Sequence, residues 1–398
     1  MRRSYRLAYL VSHPIQYQAP LLRRLAAHPD IDLTVFFLSD LSVEGYRDPG
    51  FGVRVQWDVP LLSGYRHVFL PAVGGRDRLS RWRPLSYGLR RYLESGAFDV
   101  LWVHGYSHQV CLRAVAVAKA MGIKVLLRGE SHLQSGSASS SKRLVKAALL
   151  RSLFGLVDGF LAIGTRNKEY YLRYGVPRSK IFMMPYAVDN DFFRREAEKA
   201  RLESGKLRAE LKLEAGRPVI VFAGKLQPRK RPTDLLEAYA HLSPDGVSEP
   251  IPYLLFVGDG EERTRLEERA RQLGWSSIRF VGFRNQSQIP SLYAIGDVLA
   301  LPSDREPWGL VVNEAMNAGL AIIVSDRVGC SPDLVKDGVN GFVFPVGDVT
   351  ALAGRLREVT SDAGRAREMG AASLRIISAW DFEADVQGLL AALEFVLD

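Results

Sequence analysis

The sequence predicts an α/β protein made of two doubly wound domains in tandem. Three observations carry this: a length of 398 residues, enough for two or three cores; strand-length apolar runs alternating with helical stretches; and a charged interruption in mid-chain, after which the alternation restarts. Apolar residues make up 47% and charged residues 24%, so disorder, collagen-like repeats and coiled coils fit poorly.

In the amino half, residues 6–12, 31–38, 100–104, 123–127 and 159–163 read as buried parallel strands, because each is nearly continuous in apolar side chains. Helices fit between most of them. A strand-like stretch at 181–184 leads into Pro185-Tyr186-Ala187-Val188-Asp189, and the charged stretch 194–212 has few apolar anchors. The expected division is therefore an amino domain at 1–190, a linker at 191–215 and a carboxyl domain at 216–379. A last helix at 380–398 is expected to return to the amino domain. In the carboxyl half, strands are expected at 219–223, 253–257, 278–281, 298–301 and 321–325, with helices at 233–241 and 261–273. Ligands of such sheets gather at the carboxyl ends of the strands, so the residues just after each strand are the candidates, and the cleft between the domains is the expected site.

Composition bounds the setting. Cys111 and Cys330 form no CxxC pair, which argues against a disulfide framework or a zinc site and for the cytosol. The apolar runs are too short to span a bilayer, and Met1-Arg2-Arg3-Ser4 leads into a strand-like run rather than a signal peptide. The net charge of +9 is unevenly spread: up to Asn190 there are 27 Lys and Arg against 13 Asp and Glu, and from Asp191 onward 26 against 31. A basic half suits an anionic partner, although solvated basic faces give the same count. Basic and aromatic residues interleave from Arg76 through Arg78, Arg81, Trp82, Arg83, Tyr87, Arg90 and Arg91 to Tyr92. Such a stretch suits anionic lipid or a phosphorylated acceptor, and no nucleic-acid module accompanies it. The stretch Lys142 to Arg151 reads as a second basic, amphipathic helix after a serine-rich run at 135–141.

The most informative segment is Glu306-Pro307-Trp308-Gly309-Leu310-Val311-Val312-Asn313-Glu314-Ala315-Met316-Asn317-Ala318-Gly319. Pro307 and Gly309 keep Glu306 in a loop, while 310–318 is helix-forming and stops at Gly319. A helix amino terminus suits a diphosphate, and a carboxylate can accept both hydroxyls of a diol, which fits a ribose or a sugar ring. In Phe222-Ala223-Gly224-Lys225-Leu226-Gln227-Pro228-Arg229-Lys230, two lysines five apart leave a strand and can converge on phosphate oxygens without a metal.

These segments resemble the retaining glycosyltransferases of the large family 4 (group 1) type, whose fold is two Rossmann-like domains facing across a cleft (GT-B). The resemblance implies that Glu306 contacts the donor sugar and Glu314 the ribose. Backbone N–H groups around Trp308, Gly309 and Leu310 would approach sugar and diphosphate. Family members commonly have Arg where this chain has Lys225, so the fork is lost and the charge kept. Lys230 is the second cation, and Gly224 and Phe283 are donor-binding, the latter beside the base. The strand ending in His104 is similar to one whose histidine lies near the donor sugar and the site of attack. His108 and His132 lack such context. Val11-Ser12-His13-Pro14-Ile15-Gln16-Tyr17 resembles the opening of a bacterial subset, and with no glycine there His13 and Gln16 are expected to face the acceptor, with Arg128 and Glu130 nearby. Asp189-Asn190-Asp191 spells DxD but falls in the crossing between domains, where the aspartate is structural.

The resemblance thus implies a transferase that moves a sugar from a nucleoside diphosphate to a hydroxyl of a glycan or lipid-linked acceptor. No metal, no cofactor and no nucleic acid are expected. The implied setting is cytoplasmic, peripheral on the inner face of the membrane. A sugar-nucleotide epimerase of similar fold and a non-catalytic nucleotide-sugar-binding subunit are the alternatives.

Overall fold

A computed structural model describes residues 4–77, 79–133, 140–242 and 251–398. Arg78 and most of the serine run at 135–141 lie outside the described residues. The chain divides into two compact units: Met1–Tyr46, Val59–Ala187 and Asp381–Asp398 form the first, and Arg47–Asp58 with Val188–Trp380 the second.

The first unit is built on a seven-stranded sheet. Its strands are β1 (Tyr5–Val11), β2 (Ile31–Phe37), β3 (Arg66–Phe69), β4 (Val100–His104), β5 (Lys124–Arg128), β6 (Gly159–Ala162) and β7 (Ile181–Met183). They lie in the order β7-β6-β5-β4-β1-β2-β3, all parallel. The apolar runs are buried on both faces. One face packs Leu101, Val103, Val125 and Leu127 against the helix Gln109–Ala120 and its neighbours. The other packs Leu7, Tyr9, Trp102 and Leu126 against Phe382, Val386, Leu389 and Leu393 of the helix Phe382–Leu397. That helix begins where the Asp381 carboxylate accepts the Ala384 N–H at 2.9 Å, with Glu383 and Asp385 in the first turn suiting the positive end of its dipole.

The second unit has six parallel strands: β8 (Val219–Ala223), β9 (Tyr253–Val257), β10 (Ile278–Gly282), β11 (Val298–Leu301), β12 (Ala321–Ser325) and β13 (Gly341–Phe344). Their order is β10-β9-β8-β11-β12-β13. Every residue of β8, β9, β11 and β12 is buried, as their unbroken apolar sequences require.

Both sheets wind outward in two directions from a central pair, so each has one switch point: between β1 and β4 in the first, and between β8 and β11 in the second. The carboxyl ends of these pairs carry Ser12-His13 and His104 in one unit, and Gly224-Lys225 and the loop to Glu306 in the other.

Three features differ from the sequence reading. The stretch expected as a linker at 191–215 is largely helical, as Asn190–Leu202 and Ser204–Glu210, and belongs to the second unit. Its first helix anchors through buried Phe193 and Ala197, too sparse a pattern to be seen against its charges. Arg47–Asp58, amino-terminal in sequence, also belongs to the second unit. Strands β3 and β13 were not expected.

Candidate active site

In the second unit the loops after β8 and β11 are tied together. The backbone N–H groups of Asp304 and Arg305 both donate to Arg229 O, and the Lys230 ammonium donates to a Glu306 carboxylate oxygen. Lys230 and Glu306 are 8% and 9% exposed, so two of the predicted catalytic groups form a nearly buried ion pair. Burial, with Arg229 and Lys225 as neighbours, pushes the Lys230 ammonium down to about 7, and contact with Glu306 works in the opposite sense. Gly224 leaves β8 at φ +142°, and a Cβ there would meet nothing within 4 Å, so the backbone lies open to a ligand.

Gly309 sits at φ +99° immediately before the helix Leu310–Asn317, a left-handed conformation that favours glycine, and its carbonyl accepts the Val312 N–H at 2.8 Å as the helix begins. Trp308 is 2% exposed, donates its indole N–H to Asn313 Oδ1 at 2.9 Å and packs on Trp380. Its side chain therefore faces the core. Inside the helix, Glu314 accepts the Tyr293 hydroxyl at 2.8 Å, and loss of water around the carboxyl pushes it up to about 7.

Sequence reasoning missed the partner of Lys225. Asp48, 6% exposed, accepts the Lys225 ammonium at 2.8 and 3.0 Å. Burial alone would raise the Asp48 carboxyl, but hydrogen bonds from Lys225 and from the Phe51 and Gly50 N–H groups hold it below the usual range. Lys225 also lies 4.9 Å from the centre of the Phe51 ring, and Phe51 and Trp57 both pack edgewise on Phe283. Asn285 Nδ2 donates to Gln56 O, and Ser287 to Asp58. The segment Arg47–Asp58 is thus seated on the two residues expected beside the phosphates and the base. Its contacts are more than 170 positions apart in sequence, and no local pattern announces them.

Asp189 and Asp191 serve a helix start: the Asp189 carboxylate accepts the Phe192 N–H at 2.9 Å, and Asp191 lies in the first turn. Among the described residues no cluster of three His, Cys, Asp or Glu side chains has a geometry to hold a metal ion.

The first unit brings His104, Glu130 and His13 together and leaves Gln16 and Arg128 out. The Tyr9 hydroxyl donates to Gln18 Oε1 at 3.0 Å and is hydrogen-bonded to His104 Nδ1 at 2.8 Å. His104 Nε2 faces Glu130 Oε1, 3.5 Å away. Glu130 also accepts the Tyr186 hydroxyl, which meets the Tyr17 hydroxyl at 3.2 Å. Burial tends to raise Glu130, but His104, Tyr186 and Arg128 hold it below its ordinary value as a carboxylate. Burial beside His104 pushes His13 down to about 4, so it is neutral at pH 7, and its Nδ1 bonds the Ser12 hydroxyl at 2.9 Å. Gln16 is half-buried in the turn before the helix Ala19–Ala26, and it is Gln18, two positions on, that enters the cluster.

Arg128 does not reach a binding surface. It is 1% exposed and donates to Met184 O, Pro185 O and the buried Asp385, with its guanidinium 4.8 Å from the centre of the Tyr186 ring. Five donors in a fixed plane suit this tie between the β5 end, the end of the amino half and the last helix. His108 is also structural, its Nδ1 accepting the Val110 N–H as a helix cap and its Nε2 bonding Arg83 O.

Tandem doubly wound domains, with paired lysines and carboxylates at the second switch point, have the GT-B architecture. Comparison with known proteins agrees. Residues 13–187 match the family described as "Glycosyl transferase 4-like domain", and residues 203–375 match "Glycosyl transferases group 1". The D-inositol 3-phosphate glycosyltransferase of Nocardia farcinica is 29% identical over 229 residues, covering 56% of this chain and 49% of that protein. The chain thus matches about half the length of that relative. The N-acetyl-alpha-D-glucosaminyl L-malate synthase of Bacillus anthracis is 25% identical over 282 residues, covering 68% of each. Among solved structures, Anabaena HepE in complex with UDP superposes with a TM-score of 0.70 at 18% identity, covering 96% of this chain and 98% of that one. The chain belongs to the group 1 glycosyltransferases of GT-B fold.

Proposed function

We propose that this protein is a retaining, metal-independent transferase of the hexosyltransferase type. It moves a sugar from a nucleoside diphosphate to a hydroxyl of a glycan or lipid-linked acceptor in cell-surface polysaccharide or glycolipid assembly. Its place is the cytoplasm, peripheral on the inner membrane face. No helix among the described residues is long and apolar enough to cross a membrane, which is compatible with that placement.

The observation that carries the reading is the arrangement at the second switch point: Lys225 and Lys230 beside Glu306, with the helix Leu310–Asn317 opening next to them and Glu314 inside it. A diphosphate drawn to the lysines and the helix start leaves Glu314 for the ribose and Glu306 for the sugar. The bond from the sugar C1 to the diphosphate oxygen breaks, and C1 bonds the acceptor oxygen on the same face. The acceptor proton passes to the departing diphosphate, whose developing charge the lysines stabilise. His104 and Glu130 take the acceptor-side role. A structural neighbour, Anabaena HepE, has been solved with UDP and with UDP-glucose, which supports a nucleotide-sugar donor here.

The test is a thermal-shift series with UDP, GDP, ADP and TDP and their sugars, all in EDTA. A nucleotide at a hundredfold excess over its dissociation constant stabilises by about 2.7 kcal/mol. Stabilisation by at least one nucleotide with the metal removed is expected, and no response to any of them would overturn the reading.

A further inference from the structure

A cleft of about 1040 Å³ lies wholly within the first unit, at a distance in sequence from every donor residue. One end is lined by Ser12, Tyr106 and Ser107, which directly follow β1 and β4, the switch-point strands whose ends also carry His13 and His104. One wall is the helix Ser140–Gly155, which presents Lys142, Val145, Lys146, Leu149 and Leu153 to the cleft at helical spacing. Leu79, Arg81 and Leu112 also line it.

The chemistry is graded along this helix. A helix joining two parallel strands runs against them, so its amino end, with Lys142 and Lys146, lies toward the carboxyl ends of the strands, and its carboxyl end, with Leu149 and Leu153, lies away from them. From the strand ends outward the cleft therefore offers hydroxyls, then cations, then aliphatic wall. Val145 and Leu149 are 61% and 67% exposed, an apolar surface that a solvated helix does not need. Among the described residues no carboxylate pairs with Arg81, Lys142 or Lys146; Arg81 lies over the Trp82 ring and Lys146 over Tyr170.

We propose that this cleft binds the acceptor, and that the acceptor is an amphiphile in which a sugar or other hydroxyl-bearing head joins a single apolar tail through a phosphate. This rests on the transferase reading and specifies its acceptor. The head reaches the His13 and His104 end, the phosphate meets Arg81, Lys142 and Lys146, and the tail lies along Val145, Leu149 and Leu153. A free glycan uses the first part of that sequence only, and inorganic phosphate only the second. The basic charge of the amino half thus has a specific use beyond a general attraction to membranes.

The experiment is calorimetric titration of the full chain with dodecyl phosphate below its micelle concentration. Octyl phosphate, neutral dodecyl maltoside and inorganic phosphate are compared with it, and UDP is titrated in parallel. Dodecyl phosphate should saturate at one per chain, and octyl phosphate and dodecyl maltoside should each bind at least about tenfold more weakly, since one loses tail burial and the other the charge contacts. Inorganic phosphate alone should show no measurable binding here. L149E, at an exposed position, and K142A/K146A should each weaken dodecyl phosphate by about tenfold or more while leaving nucleotide binding as in wild type. Equal binding of phosphate and maltoside amphiphiles, or wild-type affinity in L149E, overturns the proposal; if nucleotide still binds, the transferase reading stands. Saturable, variant-sensitive binding of dodecyl phosphate without any nucleotide binding supports the cleft and instead overturns the transferase reading.

Discussion

The two switch points have the same topology and opposite chemistry. At the end of β8 and β11 the side chains are ionic: Lys225 with Asp48, and Lys230 with Glu306. At the end of β1 and β4 they are mostly neutral, with Tyr9, Gln18, Tyr17 and Tyr186 arranged about one histidine and one carboxylate. Ammonium groups suit a diphosphate whose charge grows as it departs, whereas phenols and amides suit hydroxyl groups that arrive uncharged. A doubly wound sheet fixes where a ligand sits, and the residues after its strands decide what kind.

The largest expected effect separates structure from binding within the first unit. Arg128→Ala strips Met184 O, Pro185 O and Asp385 of their buried donor. Asp385, which burial already raises to about 7, then takes a proton, and at about 1 to 3 kcal/mol for each unsatisfied group the total should exceed about 3 kcal/mol of stability. Chemical denaturation measures it. Near-normal stability with weakened acceptor use would return Arg128 to the binding role the sequence suggested.

Next comes Lys230→Ala, which should lower turnover on saturating donor by about 2.7 to 4 kcal/mol of barrier, by analogy with loss of an oxyanion donor. The folded variant is assayed below its own melting temperature, since Glu306 loses its partner too. Unchanged turnover would erase the contrast between the two switch points.

Glu314→Ala should weaken nucleoside diphosphate binding by about 1.5 to 3 kcal/mol, the worth of a hydrogen bond to a charged group. The pH dependence sharpens this. Burial raises Glu314 from 4.5 to about 7 in the folded chain, so between these values the folded state holds a proton that the unfolded chain releases. Its contribution to stability is thus present at low pH and lost as pH rises through about 7. Over the same rise the carboxylate appears, and nucleotide affinity should increase from pH 6 to 8 relative to Glu314→Gln. Parallel profiles in wild type and variant would dissociate Glu314 from the ribose.

The smallest effect concerns Asp48. Its charge lies beside the proposed diphosphate site, so Asp48→Asn should tighten UDP binding by less than about 1 kcal/mol, because the Lys225 partner is partly exposed and screened. Weaker binding would instead mean that Asp48 positions Lys225.

What the sequence disclosed follows the same division. The strands of both sheets stand out because parallel strands buried on two faces must be apolar throughout, and the string around Glu306 and Glu314 is local enough to read as loop, glycine, helix. The tyrosines about His104 were not legible, because Tyr9 and Tyr186 look like core residues until chain segments 95 and 56 positions apart meet. Arg128 misled for the same reason: a charged residue at a strand end suggests a ligand, and its carboxylate partner lies 257 positions on. Arg47–Asp58 carries no periodic pattern, so nothing local ties Asp48 to Lys225. Local signals reveal elements and motifs; the partners of buried charges are set by long-range packing.

On the proposed reading, the cluster at the second switch point holds a nucleoside diphosphate. Calorimetric titration of UDP, GDP, ADP and TDP into wild-type protein and Glu314→Ala tests it most directly. At least one nucleotide should bind wild type at one per chain, with affinity reduced about tenfold or more in the variant. Binding of equal strength to both proteins would contradict the account.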